Sequence, residues 1–155
     1  MQAPVQFQPY ATLPEMTAWA NDLMASRDPD YTIVRQDGSV YLRRWWVIPR
    51  NEMCNVYLHE ILLSDDDRAF HDHPWPNTSM ILDGGYIEHT PDGITERSAG
   101  DVVSRGATAL HRLVVPEGGR AVTLFMTGPK EREWGFACPD GWVRWDVFET
   151  QGCGE

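Results

Sequence analysis

Three histidines have the spacing best suited to bind a metal ion in this chain. His71 and His73 are separated by one residue, and His111 follows further along the sequence. Because side chains alternate along a β-strand with a period of two, the imidazoles of a His-X-His pair lie on one face. With a third histidine from a neighbouring strand, they could hold a divalent metal and leave positions open for substrate. The sequence therefore predicts a metal site at His71, His73 and His111.

The composition predicts one reduced, cytoplasmic domain over residues 1–155. This length is typical of a single domain and needs no disulfide to fold. The three cysteines, Cys54, Cys138 and Cys153, are odd in number and form no Cys-X-X-Cys pair, which favours free thiols. The first thirty residues do not resemble a signal peptide, and no run of about 18 apolar residues could span a membrane.

Charge and motifs exclude several classes of partner. The net charge of −10 argues against nucleic acid, whose phosphates are bound by clustered lysine and arginine. No glycine-rich phosphate-binding loop and no Gly-X-Ser-X-Gly motif is present. A small-molecule ligand is the partner that the sequence favours.

The N-terminal segment 14–27 is predicted to form a helix that packs on the body of the domain. Thr12 could cap its start, and Pro29 lies just beyond its end. Its apolar residues recur near helical spacing: Met16, Trp19, Leu23 and Met24.

From residue 31 to 148 the pattern predicts short strands joined by turns, as in a sandwich or barrel. The strands are expected at 31–35, 40–48, 55–63, 79–88, 94–97, 102–103, 110–115, 121–127 and 142–148. Residues 36–39 form a hairpin turn in which Gly38 supplies positive φ, and strands 110–115 and 121–127 are expected to pair across 116–119. The aromatic segments 131–136 and 141–145 are expected to form a flap that closes one mouth of the barrel.

The order of these features resembles the two motifs of the cupin superfamily, G(X)5HXH(X)3,4E(X)6G and G(X)5PXG(X)2H(X)3N. In the first motif, residues 71–73 match the paired histidines and Gly84 matches the closing glycine. Asn77 stands at the glutamate position, and Asp65 stands at the opening glycine.

In the second motif, Gly100 leads to His111, with Ala107 and Val115 replacing the later glycine and the asparagine. The resemblance covers about residues 50–127. The chain is also similar to small cupin-like proteins of bacteria and phages that carry HDHPW and EWGF segments.

The resemblance implies an all-β fold, a jelly roll or double-stranded β-helix barrel with one N-terminal helix. It also implies a divalent transition metal held by the three histidines, with no glutamate at the fourth position. The segment His71–Pro74 is similar to the HxHP of three-histidine thiol dioxygenases, which favours Fe(II), although Zn, Ni or Mn would also suit. Asn77 or Glu88 could supply an additional ligand, whereas Asp72 alternates away from the metal.

Four further residues are candidates for the substrate pocket: Trp75, Tyr86, Arg105 and Arg112. For each, ordinary packing or a surface ion pair is an equal alternative, and Arg112 would need a β-bulge to face the ligand. His59 and His89 match neither motif. We expect an interior or edge position for His59, with a place in the pocket lining as the lesser alternative, and a surface turn for His89.

Three functions are consistent with these features. The first is a mononuclear non-haem Fe(II) oxygenase that acts on a small molecule. The second is a metal-dependent isomerase or lyase in which the metal is a Lewis acid. The third is a non-enzymatic barrel that binds a small molecule through the histidines themselves. From the cupin resemblance, a homodimer is also expected.

Overall fold

The computed structural model describes residues 11–65 and 69–154. Two helices and eleven strands occur in these ranges. In chain order they are α1 (Leu13–Ser26), β1 (Tyr31–Val34), β2 (Val40–Trp46), β3 (Asn55–Ile61), β4 (Phe70–His71), β5 (Asn77–Thr90), β6 (Gly93–Ser98), β7 (Val102–Arg105), β8 (Arg112–Val114), β9 (Ala121–Thr127), β10 (Gly135–Cys138), β11 (Gly141–Arg144) and α2 (Trp145–Gln151).

The strands form an antiparallel half-barrel, as the sequence predicted. The larger sheet runs in the order β1-β2-β3-β9-β5-β6, and β7 and β8 also pair with β5. A smaller sheet runs β11-β10-β4. An isolated bridge between His71 and His111 joins β4 to the residue that precedes β8, so the two motif regions meet across the barrel.

Strand β5 serves both walls of the barrel because it bends at Gly84 and Gly85. Its first part pairs with β7 and β9, and its second part pairs with β6 and β8. Gly84 has φ +66°, and a Cβ there would lie 1.9 Å from the carbonyl oxygen of Arg120. A Cβ on Gly85 would lie 2.2 Å from the carbonyl oxygen of Arg97. The backbones approach so closely at this bend that only glycine fits.

The alternation of side chains divides the core into two clusters. The interior cluster lies at the end of the barrel where β3 finishes and β9 begins; it contains Leu42, Ile61, Ile81, Tyr86, Val115 and Ala121. The second cluster lies on the outer face, where α1 covers the sheet; it contains Ala20, Trp45, Leu58, Leu82 and Val122.

Helix α1 agrees closely with the sequence prediction. The Thr12 hydroxyl accepts from the Glu15 backbone N–H, and the Glu15 side chain accepts from the Thr12 N–H, which together form a capping box. The Thr17 hydroxyl donates to the carbonyl oxygen of Leu82 on β5 at 2.8 Å. The helix is therefore fixed to the strand that forms both walls.

The expectation of free cysteines was wrong, because Cys138 and Cys153 form a disulfide. Helix α2 turns the chain back toward the end of β10, which brings the two Cα atoms to 5.3 Å. The odd number of cysteines reflects one exposed free thiol, Cys54. The cysteine content therefore no longer supports a reducing, cytoplasmic location. Within the described ranges, neither helix is long and apolar enough to cross a membrane.

Two strand predictions were also wrong. Segments 110–115 and 121–127 do not pair with each other: β8 pairs with the second part of β5, and β9 pairs with β3 and the first part of β5. The turn at 116–119 does form, but it carries the chain from one wall to the other. The predicted strand 142–148 ends at Arg144 and continues as α2, because Trp145 and Phe148, three residues apart, share one helical face.

We predict that Gly84→Ala strongly destabilises the protein. The new methyl group would overlap the Arg120 carbonyl and force apart β5 and β9, which should cost at least about 2 kcal/mol of unfolding free energy. Gly106→Ala is the matched control, because its Cβ would meet nothing within 4 Å and its φ is not positive. Urea denaturation of both variants measures the difference, and equal midpoints would contradict the proposed close approach.

Candidate metal centre

The backbone brings the three predicted histidines together. The N–H of His71 donates to the carbonyl oxygen of His111 at 2.9 Å, and the N–H of His111 donates back to His71 at 3.0 Å. The N–H of His73 donates to the carbonyl oxygen of Ala107 at 3.0 Å. One ring nitrogen from each histidine lies within 4.8 Å of the other two, so the three imidazoles converge on one point.

Burial keeps the paired histidines neutral. Desolvation lowers the pKa of His71 to about 4, although the nearby carboxylate of Asp65 raises it. Desolvation, followed by the neighbouring His71 and His111, lowers the pKa of His73 well below its usual value. At neutral pH both rings therefore keep an unprotonated nitrogen, which metal coordination requires.

Glu88 orients His111 from behind. Its carboxylate is 1% exposed and lies 2.8 Å from Nδ1 of His111, which leaves Nε2 of that ring for the cluster. It also accepts from Nε of Arg105 at 2.8 Å and from Nε of Arg97 at 2.9 Å. Burial raises the pKa of Glu88, but the hydrogen bond with His111 and the charge of Arg105 outweigh it, and the pKa falls to about 2. The carboxylate is therefore ionised at neutral pH.

A second carboxylate of the site, that of Asp65, lies behind His71. Nδ1 of His71 lies 3.6 Å from Oδ2 of Asp65. Asp65 is itself held by the hydroxyl of Tyr41 at 2.5 Å and the N–H of Leu113 at 2.7 Å. In the sequence, Asp65 stands out only as a departure from the motif glycine. Its position just before the histidine pair was the available signal, since metal-binding histidines commonly have a carboxylate on the outer nitrogen.

Asp72 points away from the cluster and binds the C-terminal flap, which comprises residues 131–151 and includes β10, β11 and α2. It is 2% exposed and accepts from the N–H of Gly135 at 2.7 Å, from Nε1 of Trp142 at 2.9 Å and from Arg132. A single residue between the two histidines therefore couples the cluster to the flap.

Aromatic rings from the flap and from the histidine segment surround the cluster. The rings of Trp134 and Phe136 lie 6.3 and 6.1 Å from that of His71, measured between centroids. Trp75 stacks on His73 at 5.5 Å with an interplanar angle of 19°. The flap is fixed in turn by α2, whose Phe148 stacks on Phe136 at 3.8 Å.

Asn77 lies on the interior face of β5 with polar atoms that lack partners. It is 4% exposed, and neither its Oδ1 nor its Nδ2 has a hydrogen-bond partner. Thr127, its register neighbour on β9, has an unpartnered buried hydroxyl, as does Nδ1 of His73. Buried polar atoms are normally satisfied, so these orphaned atoms and the converging imidazoles fit a site that takes a metal and a polar ligand.

The remaining candidates occupy different positions. Trp75 borders the cluster, whereas Tyr86 packs in the interior apolar cluster. Arg105 forms an ion pair with Glu88. Arg112 lies opposite His89 in the β5–β8 register, on the face away from His111, and no bulge reverses it. His89 is in strand β5 rather than in a turn.

Solved structures that share this architecture include proteins described as cupins. A cupin 2 conserved barrel domain protein from Rhodopseudomonas palustris matches with a TM-score of 0.55 at 14% identity, over 71% of this chain and 77% of that chain. The polyketide cyclase RemF from Streptomyces resistomycificus matches with a TM-score of 0.51 at 18% identity, over 68% and 71%.

A protein with a double-stranded β-helix domain from Klebsiella pneumoniae matches with a TM-score of 0.51 at 18% identity, over 66% and 89%. No protein-family model and no curated protein sequence matches the chain. At these identities the likeness establishes the fold.

We predict that Asp72→Asn loosens the flap. Loss of the negative charge weakens the contacts with Arg132, Trp142 and Gly135, which should cost about 2 kcal/mol or more. Hydrogen exchange of the amides of 135–144 should accelerate. Asp146→Asn is the control, because its partner Arg144 is half-exposed and such pairs contribute little. Equal exchange rates in the two variants would show that Asp72 does not hold the flap.

Proposed function

We propose that this chain, which has the cupin fold, is a mononuclear metalloprotein that uses His71, His73 and His111 as ligands and acts on a small molecule. The observation that carries the proposal is the convergence of three ring nitrogens with Glu88 on the outer nitrogen of His111. Such a carboxylate fixes the tautomer and orientation of a ligating imidazole.

The donor set suits a divalent transition metal. Three imidazoles bind Zn, Cu, Fe and Ni and are poor ligands for Mg or Ca. Among the described residues, the cluster of potential metal ligands consists of the three histidines and contains no carboxylate. The nearby carboxylate of Glu88 is engaged by His111, Arg97 and Arg105. Glu88 therefore has the role of an outer partner in our proposal, and Asn77 remains the candidate for an additional oxygen ligand.

Within this class, we favour an Fe(II) oxygenase. The three neutral imidazoles would hold Fe(II), which would supply the redox chemistry for a reaction of the substrate with dioxygen. The residues of the chain would orient and shield the reaction. Glu88 would hold His111 through its hydrogen bond, and Asp65 lies behind His71. Trp75, Trp134 and Phe136 would limit the access of water.

A non-oxidative isomerase, lyase or cyclase is the second candidate. The same three-imidazole set suits zinc as a Lewis acid, and RemF, which shares the fold, is a polyketide cyclase. The two candidates differ in their need for dioxygen. Turnover that is unchanged under anaerobic conditions would favour the second, and turnover that consumes dioxygen would favour the first.

We predict that the protein purifies with about one equivalent of a transition metal. His71→Ala and His111→Ala should each remove most of it, because two imidazoles hold a metal far less tightly than three. His89→Ala is the matched control, since it lies outside the cluster. Elemental analysis by mass spectrometry measures the content. A wild-type protein without metal and without affinity for Fe(II), Zn(II), Ni(II) or Mn(II) would overturn the proposal.

We predict that Glu88→Gln weakens metal binding by about 10–100-fold, the usual effect of removing a carboxylate behind a ligating histidine. The amide keeps the shape of the side chain but loses the charge. Competition with a chromophoric chelator measures the affinity. Glu96→Gln on the exposed strand β6 is the control and should bind metal like the wild type. Equal affinities for the two variants would remove Glu88 from the site.

A further inference from the structure

Arg44 on β2 carries a half-buried charge on the interior face of the barrel. Its Nε donates to Nε2 of His59 at 2.8 Å, and its guanidinium lies 4.7 Å from the centre of the Tyr57 ring. In the described ranges of the chain, no carboxylate forms an ion pair with Arg44. Arg43, the preceding residue, points to the other face and pairs with Glu60 at 2.8 Å.

The partner that Arg44 does have cannot neutralise it. Burial, followed by the charge of Arg44, lowers the pKa of His59 well below its usual value, so the ring is neutral and accepts the hydrogen bond. Burial also lowers the pKa of Arg44, but an arginine stays protonated in proteins. A half-buried charge without a counter-ion is costly, and an anion that binds there would be favoured.

The hydrogen-bond geometry leaves the end of Arg44 available. With Nε occupied by His59, the two terminal NH2 groups retain the parallel N–H pair that binds a carboxylate in a bidentate manner. Tyr57 and His59 stack on each other at 5.7 Å with an interplanar angle of 12°. Arg44 contacts both rings, so the fork is held in one orientation. One fixed cation matches a singly charged carboxylate better than a doubly charged phosphate.

Polar atoms that lack partners continue from Arg44 toward the histidine cluster. In register, Arg44 lies beside His59, and His59 lies beside Thr123 on β9. Thr123 is 1% exposed and its hydroxyl has no hydrogen-bond partner. On the same interior face, Thr127 and Asn77 have the orphaned atoms described above. These groups form a polar track along the inside of the sheet, interrupted on β9 by Phe125, whose ring lies 6.4 Å from that of His73.

The length of the track limits the size of the ligand. The ring of Phe125 lies 5.0 Å from that of His59 and 6.4 Å from that of His73, so the two histidine rings are within about 11 Å. An extended residue covers about 3.5 Å. A molecule up to about three extended amino-acid residues long could therefore reach from Arg44 to the cluster.

We propose that Arg44 binds the carboxylate of a small organic anion whose other end lies at the three-histidine cluster. Arg44 thus selects carboxylates as the substrate class, and His59 and Tyr57 are positioning residues that fix its guanidinium. This inference rests on the proposed function only for the far end of the ligand, since the Arg44 site does not itself require a metal.

The test compares short aliphatic carboxylates, from propionate to hexanoate and succinate, with their uncharged amides, by calorimetry on the protein as purified. The wild type should bind at least one carboxylate and discriminate against its amide. Arg44→Met should lose about tenfold or more of that affinity, the usual worth of a charge-assisted hydrogen-bonded pair. Arg43→Met is the matched control on the outer face and should bind like the wild type.

The outcomes separate this inference from the metal proposal. If the carboxylate simply ligates a metal, its affinity for the protein should fall in His71→Ala and stay unchanged in Arg44→Met. That result would overturn the inference, while the metal proposal would stand. Loss of binding in Arg44→Met with unchanged metal content supports it. Arg44-dependent binding in a protein that holds no metal supports it as well, although the metal proposal would then have failed. A wild type that binds none of the carboxylates also overturns it.

If Arg44→Met does not fold, as judged by circular dichroism, Arg44→Gln carries the same test. Its amide can still donate to His59 and so preserves a polar contact at that position. It lacks the positive charge, and the same loss of carboxylate binding is expected. Binding equal to that of the wild type would overturn the inference.

Discussion

The buried carboxylate of Glu88 is the interaction on which the candidate site depends. It joins His111 to Arg105 of β7 and Arg97 of β6, so one side chain connects three segments of the barrel. Breaking a buried ion pair by removing one partner commonly costs about 3–5 kcal/mol, because the other charges stay buried without compensation. The orientation of His111 is therefore determined by the same contacts that join β5 to its neighbours.

The bend in β5 explains how one strand serves two functions. Before Gly84 the strand contributes Asn77 to the wall shared with β9, and after Gly85 it contributes Glu88 to the wall shared with β8. The carbonyl groups of Arg120 and Arg97 lie close to these glycines. Because glycine has no Cβ, the strand can pass from one wall of the barrel to the other at this point. The backbone constraint at Gly84 and Gly85 therefore helps to place Asn77 on one wall and Glu88, behind His111, on the other.

The interior of the barrel is divided along the strands. At one end the apolar cluster around Ile61 and Ala121 fills the space, and in the next positions along the same face come His59, Thr123 and Thr127, which are buried and polar. The C-terminal flap covers the cluster side through the contacts of Asp72. Apolar and polar side chains therefore lie at successive levels of one interior face, and Arg44 lies at the polar level beside His59.

The sequence by itself determined the features that depend on local chemistry. The N-terminal cap of α1 at Thr12, the hairpin turn at Gly38 and the spacing of the His-X-His pair could all be predicted, because each depends on residues adjacent in the chain. The order of the cupin-like motifs also predicted the barrel fold and the three candidate metal ligands. Tertiary structure decided which distant residues become partners: Asp65 behind His71, Glu88 behind His111, Cys138 with Cys153 and Arg44 with His59. Spacing along the chain carries no information about these pairs, because strand order and the bend in β5 determine which side chains face each other.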